Sequence, residues 1–180
     1  MRVLRVPDKR FAGLKKSVAM LAIPFLLQIV WVYITAFPVY VALSNPPLLL
    51  DSLKWSDIVG GILWILGFSC QCVADYQKNE FKTLHPDDFI TTGIWKYSRY
   101  PNYFGEVTLW YGAFIVCIGA FTNSWNWVAI ISPLFVTYLL VFGSGVALSE
   151  TNANRRYGSR GDYIEYKRKT STFVPWPPIQ

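Results

Sequence analysis

Four long apolar runs constrain this chain more than any other feature. They cover residues 18–43, 58–74, 107–121 and 127–148. A helix that crosses a bilayer needs about 20 mostly apolar residues, so the third run is marginal and calls for tilting or for shielding by its neighbours. Lipid requires each backbone polar group to be satisfied within its own segment, which favours helices. The runs therefore predict an all-α fold, a polytopic transmembrane helix bundle with about four membrane-embedded helices.

Basic side chains alternate between the polar segments that separate these runs. Lysine and arginine number six in residues 1–17, one in 44–57, four in 75–106, none in 121–126 and six from residue 149 onward. Because basic residues accumulate on the cytoplasmic side of membranes, both termini and the central loop are predicted to be cytoplasmic. The net charge of +6 then reflects topology and contact with anionic membrane lipids, with no nucleic-acid partner. We expect an integral multi-pass protein, in the endoplasmic reticulum membrane of a eukaryote or the inner membrane of a bacterium.

The first polar constellation follows the second run. If that helix continues, one carboxylate, one amide and two ammonium groups share a face at i, i+3, i+4 and i+7: Asp75, Lys78, Asn79 and Lys82. Lysines at the cytoplasmic mouth of the bundle suit phosphate groups. The alternative is a collar of charged side chains that snorkel to the membrane surface.

The second constellation leads into the third run, in residues 93–106. Pro101 suits the first turn of a helix, which puts Arg99 just before the helix and Asn102 and Glu106 on one of its faces. A helix start beside an arginine can bind an anion. Ionisable groups at the membrane edge usually have a function or a partner, so Glu106 is either functional or paired with Arg99 or a lysine.

The third constellation is the tail. It joins Glu150 to a basic stretch and to aromatic residues that a solvated tail would not need: Tyr157, Tyr163, Tyr166, Phe173 and Trp176. We expect the tail to fold back on the bundle or to lie at the membrane interface. The alternative is a purely lipid-binding basic tail.

Metal chemistry is not expected. His85 is the only histidine, and Cys70 and Cys72 form a C-x-C pair without a second pair elsewhere. No glycine-rich phosphate loop or nucleophile elbow is present. An enzyme built on this chain would take its chemistry from a bound organic cofactor.

These three constellations, in this order, resemble the C-terminal domain of the steroid 5-alpha-reductase-like membrane proteins, most closely their broad, mostly uncharacterised branch. The resemblance is carried by residues 75–82, 92–106 and 166–176. Its most specific part is Tyr-Ser-Arg-Tyr-Pro-Asn-Tyr-Phe-Gly-Glu, residues 97–106. Members of that family usually have histidine where Tyr100 stands here.

The resemblance implies an oxidoreductase of lipid metabolism that uses NADPH to reduce an activated carbon–carbon double bond. The substrate would be a steroid or another small hydrophobic lipid. It assigns no catalytic residue to this chain. Carried over position by position, the residues that line the cofactor site would be Asp75, Lys82, Arg99, Asn102, Tyr103, Glu106 and Glu150.

Longer members of the family have further helices before the segment equivalent to residues 1–16. Those helices supply substrate contacts and the acid that protonates the reduced double bond. The resemblance therefore implies that residues 1–180 are a single membrane domain, the cofactor-binding C-terminal portion of a reductase-like bundle, or a truncated reductase.

Two other functions stay open. The first is a membrane methyltransferase of the isoprenylcysteine type that uses S-adenosylmethionine, since Arg99, Pro101, Tyr103 and Gly105 also fit its Arg-x-Pro-x-Tyr-x-Gly stretch. The second is a non-catalytic membrane protein derived from the reductase family. The stripe in residues 75–82 fits the reductase better than the methyltransferase.

Overall fold

The computed structural model describes residues 18–44 and 53–179, and nearly all of them are helical or in short turns between helices. The described residues form no β-strand beyond a single-residue bridge between Ser98 and Ser171. The all-α prediction is therefore confirmed. The α-helices are α1 (Val18–Ser44), α2 (Trp55–Leu84), α3 (Pro101–Ile118), α4 (Ile131–Tyr138), α5 (Val146–Tyr157) and α6 (Gly161–Lys169).

Three stretches of the described chain are long and apolar enough to cross a membrane: Ala22–Ser44, Trp55–Leu84 and Ser124–Tyr157. They contain the second and fourth predicted runs and most of the first. In the last stretch a 3₁₀ turn (Ser124–Ile130) precedes α4, and a π-helical turn (Leu139–Gly143) and a bend at residues 144–145 separate α4 from α5. The predicted basic segment at residues 1–17 lies outside the described residues.

The third predicted run lies within α3, which is not among these three stretches because its first two turns are polar. Its 18 residues rise about 27 Å at 1.5 Å per residue, close to the thickness of the hydrocarbon core, about 30 Å. α3 lies antiparallel to α2. At one end the Lys54 ammonium group donates to the Gly119 carbonyl, and at the other the Cys70 thiol lies 3.4 Å from the Pro101 carbonyl oxygen. Packing against α2 therefore shields the marginal run along its length.

Four glycines let α2 and α3 approach closely. Gly60 faces Gly112 and Gly67 faces Gly105, so both helices carry glycine at a spacing of seven residues. A Cβ added to Gly67 would lie 2.5 Å from the backbone nitrogen of Leu109, closer than any side chain tolerates. Small residues at such contacts are typical of helix packing in membranes, where van der Waals packing and not the hydrophobic effect holds helices together.

The tail folds back on the bundle, as one of the two predictions for it stated. Arg99 donates its backbone N–H to the Ser171 carbonyl at 2.9 Å, and Trp176 donates its own to the Tyr97 carbonyl at 2.9 Å. The tail thus runs beside the segment that enters α3. It fixes that segment through backbone hydrogen bonds, which do not depend on the side chains involved.

Candidate functional site

The loop between α2 and α3 is held against the end of α2. The Trp95 indole donates to the Ala74 carbonyl at 3.1 Å, and the Ile94 N–H donates to the Gln77 side chain at 3.0 Å. Gly93 has φ +61°, and a Cβ there would lie 2.2 Å from the Gln77 amide oxygen. This turn therefore requires glycine. It carries the chain to the N-terminus of α3, where Pro101 occupies the first turn as predicted.

Glu150 on α5 is the centre of a charged cluster that we call the Glu150 cluster: Arg99, Tyr100, Glu150 and Lys167. One Glu150 oxygen accepts from the Arg99 guanidinium at 2.6 Å and from the Tyr100 hydroxyl at 2.9 Å, and the other lies 3.1 Å from the Lys167 ammonium. The Arg99 side chain is only 10% exposed and that of Glu150 19%. Charges this well buried must be paired to be stable, and here one carboxylate faces two cations.

The Glu150 cluster lies beside a cavity of about 160 Å³. Three cationic side chains and one carboxylate line it, together with several aromatic rings. Lys82 reaches across it to the Tyr157 hydroxyl at 3.2 Å and to the Asp88 carbonyl. The lining residues are Lys78, Lys82, Phe89, Ile90, Trp95, Arg99, Tyr100, Ser149, Glu150, Ala153, Tyr157, Tyr163 and Tyr166.

Three tyrosines that line this cavity have raised pKa values. Burial and the neighbouring Glu150 charge raise the pKa of Tyr100 far above its usual value, and burial also raises the pKa of Tyr163 and of Tyr166. Tyr166 donates its proton to the Trp95 carbonyl at 2.7 Å. Tyr100 and Tyr166 therefore act as neutral hydrogen-bond donors at ordinary pH.

A second polar group, the Asn102 group, consists of Asp75, Asn102 and Glu106. The Asn102 amide donates to the Asp75 carboxylate at 3.2 Å. Glu106 lies one turn further along α3, on the same helix face as Asn102. The Asn102 amide oxygen is buried and has no hydrogen-bond partner among the described residues. Since a buried acceptor without a partner is costly, this atom is suited to a donor on a ligand.

The structure divides the seven predicted cofactor residues between these two places. Lys82, Arg99 and Glu150 line the cavity, whereas the others do not. Tyr103 lies beside the Glu150 cluster, because its ring stacks on that of Tyr100 with centroids 5.9 Å apart and its hydroxyl lies 3.4 Å from the Ser149 hydroxyl. The remaining three, Asp75, Asn102 and Glu106, form the Asn102 group.

Two details differ from the expectation for this region. The predicted stripe in residues 75–82 does form on α2, which continues to Leu84. Its two ends contact different groups, since Asp75 accepts from Asn102 and Lys82 donates to Tyr157. Arg99 pairs with Glu150 and not with Glu106.

Sequence reasoning missed several residues of the cavity. Tyr100 was noted only as a departure from the family pattern, although its hydroxyl binds Glu150. Lys167 belongs to the basic stretch of the tail, and nothing in that stretch singled it out as a partner of Glu150. Tyr163 and Tyr166 are spaced i, i+3 and therefore share a helix face, which could have predicted that both line one cavity.

The described residues hold no group of three or more histidine, cysteine, aspartate and glutamate side chains placed to bind a metal ion. The comparison that decides the family is a match over residues 1–170 to the family model DUF1295, described as a protein of unknown function. The chain belongs to the DUF1295 family. The DUF1295 match covers all six helices, and with them both the Glu150 cluster and the Asn102 group. No curated protein and no solved structure matches this DUF1295 chain significantly.

Proposed function

We propose that this protein is a membrane oxidoreductase that binds NADPH at the cytoplasmic end of its bundle and reduces a carbon–carbon double bond of a steroid or another lipid. The observation that carries the proposal is the charge of the cavity, where Lys78, Lys82 and Arg99 face a single carboxylate, Glu150. An excess of cations suits a ligand with several phosphate charges. The resemblance of residues 97–106 to the reductase family supports the same ligand.

The side chains present fit parts of this cofactor. Lys78, Lys82 and Arg99 suit its phosphates, and aromatic rings on the same wall suit a flat base. The unpartnered Asn102 oxygen suits an amide donor such as the nicotinamide carboxamide. Pockets for whole ligands usually measure about 300–1,000 Å³, so the cavity of about 160 Å³ accommodates only part of a dinucleotide.

Bound NADPH would supply a hydride to the lipid. The chain itself contributes orientation and charge. Arg99 is fixed by Glu150 and by Thr172, and so presents its guanidinium in one place. Both polar groups lie where α3 enters the membrane, which gives a soluble cofactor access from the water and a lipid access from the bilayer.

Titration of the full chain with NADPH in detergent or nanodiscs tests the proposal. Energy transfer from protein tryptophans to the bound nicotinamide is the readout, and Trp95 lines the cavity. We expect saturable binding that weakens at least tenfold in Lys82→Ala, which removes a cation of the cavity, and in Asn102→Ala, which removes the unpartnered amide oxygen. Glu80→Ala, which removes an exposed carboxylate on α2, should bind like the wild type. An intact, folded chain that shows no saturable NADPH binding would disprove the proposal.

The methyltransferase alternative has one observation in its favour. Phe89, Tyr157 and Tyr163 form a ring cluster with centroids 5.0 to 5.7 Å apart, and aromatic faces attract sulfonium-type cations. Against it, Arg160 already lies over Phe89 and Lys167 over Tyr163. S-adenosylmethionine titrated into the same sample separates the two functions, since the alternative requires it to bind and NADPH not to.

A further inference from the structure

An exposed apolar patch lies at the predicted cytoplasmic end of the bundle, outside both polar groups. Trp176 is 69% exposed, and Val174 and Ile179 are also more than half exposed. Tyr97, which is also exposed, lies next to this segment, since the Trp176 N–H donates to the Tyr97 carbonyl. Large side chains are rarely left in contact with water as a group unless they serve as an interaction surface.

The patch begins at the depth of the first turn of α3. The Phe173 ring lies 5.8 Å from that of Phe104 in an edge-to-face contact, and the Ser98 hydroxyl donates to the Phe173 carbonyl at 2.8 Å. Phe173 therefore packs on the helix at the point where it enters the membrane. The segment that follows, residues 174–179, must leave from this level.

The backbone of this segment is suited to a place with little water. Pro175, Pro177 and Pro178 have no N–H group. The N–H of Trp176 and the N–H of Ile179 both donate, to Tyr97 and to Lys169. Five of the six residues from 174 to 179 thus present no free backbone N–H group. A backbone N–H without an acceptor would be costly among lipids, whereas in a water-exposed tail it could donate to water.

Basic side chains border the patch. Lys96 lies over the Tyr97 ring at 4.7 Å, and α6 ends in Lys167, Arg168 and Lys169. Tryptophan and tyrosine collect at the headgroup level of membranes, and nearby lysine and arginine gain from anionic lipids. The combination fits a lipid surface better than a protein partner.

We propose that residues 174–179 are an interfacial anchor that inserts among the lipid headgroups of the membrane in which α1 to α4 are embedded. The anchor also bears on the cavity, because the tail is bonded to the backbone of residues 97 and 99 that leads to Arg99 and Tyr100. This proposal does not depend on the proposed reductase function.

Fluorine NMR of the fluorotryptophan-labelled full chain in liposomes tests it. The Trp176 resonance is identified by its loss in Trp176→Phe. One sample contains lipids that carry a nitroxide at the headgroup, and the other contains a gadolinium chelate confined to the water. We expect the nitroxide to broaden the Trp176 resonance beyond detection and the gadolinium chelate to leave it visible.

Buried Trp95, which is 4% exposed, is the internal control and should resist the gadolinium chelate. Broadening of Trp176 by the gadolinium chelate would show a solvated tail and would overturn the proposal. Resistance of Trp176 to both agents would show that protein covers the patch, and this result would overturn it as well. NADPH binding enters neither readout, so the reductase proposal can fail independently.

Discussion

Gly67 and Gly105 face each other across the interface of α2 and α3, so closely that a Cβ on Gly67 would lie 2.6 Å from the Gly105 carbonyl oxygen. The neighbouring pair, Gly60 and Gly112, repeats the contact two turns away. α2 carries Asp75 and α3 carries Asn102, whose amide donates to the Asp75 carboxylate. The glycine contacts therefore set the distance at which the Asn102 group assembles.

Gly67→Ala should destabilise the bundle, because the added methyl group meets backbone atoms that cannot rotate away. Overpacking of this kind costs about 1–3 kcal/mol. Gly61→Ala is the matched control, since a Cβ on Gly61 meets nothing within 4 Å. Unfolding in mixed detergent should show a lower midpoint for Gly67→Ala alone. Equal midpoints for the two variants would contradict the close packing of the helices.

Glu150→Gln should strongly destabilise the fold around the cavity, because it leaves the buried Arg99 without its counter-charge. Loss of one partner from a buried ion pair costs about 3–5 kcal/mol. Glu165→Gln is the control: it breaks the exposed pair with Lys169, at 2.9 Å, and should change little. Proteolysis of the tail in detergent is the measurement, and Glu150→Gln should be cut faster. If both variants are cut at the same rate as the wild type, Glu150 does not hold the tail.

Alkaline pH should weaken the fold through Tyr100. Its pKa is raised in the folded chain by burial and by Glu150, so the folded state binds the phenolic proton more tightly than the unfolded state. The resulting stabilisation is complete below the ordinary tyrosine pKa of 10.0 and falls as the pH rises above it. Tyr100→Phe should flatten this part of the curve of unfolding free energy against pH. An unchanged alkaline slope in that variant would argue against a buried, neutral Tyr100.

The predicted topology can be tested with single exposed cysteines at opposite ends of the last membrane stretch. Ser124→Cys precedes α4 and Ser159→Cys follows α5, and both positions are exposed. In sealed membrane vesicles with the cytoplasmic face outward, a membrane-impermeant maleimide should label Ser159→Cys, whereas Ser124→Cys should react only after permeabilisation. Labelling of both from the same side would rule out a membrane crossing between them.

Much of this protein follows from its sequence. The length of the apolar runs determines that they are helices and that they enter a membrane, because lipid leaves the backbone no other means of satisfying its hydrogen bonds. The continuation of α2 past its apolar run and the start of α3 at Pro101 also follow, since both depend on neighbouring residues. The aromatic content of the tail predicted that it folds back on the bundle or lies at the membrane interface, and the structure shows that it folds back.

Contacts between distant residues were decided only by the tertiary structure. Arg99 and Glu150 are 51 residues apart, whereas the local spacing indicated only Glu106 as an acidic partner for Arg99. Helix packing determines which acid pairs with Arg99. The glycine contacts hold α3 against α2, and the break between α4 and α5 places Glu150 over the N-terminus of α3. A sequence shows which groups need partners, but packing selects the partner, because that choice depends on helix distances that no local spacing encodes.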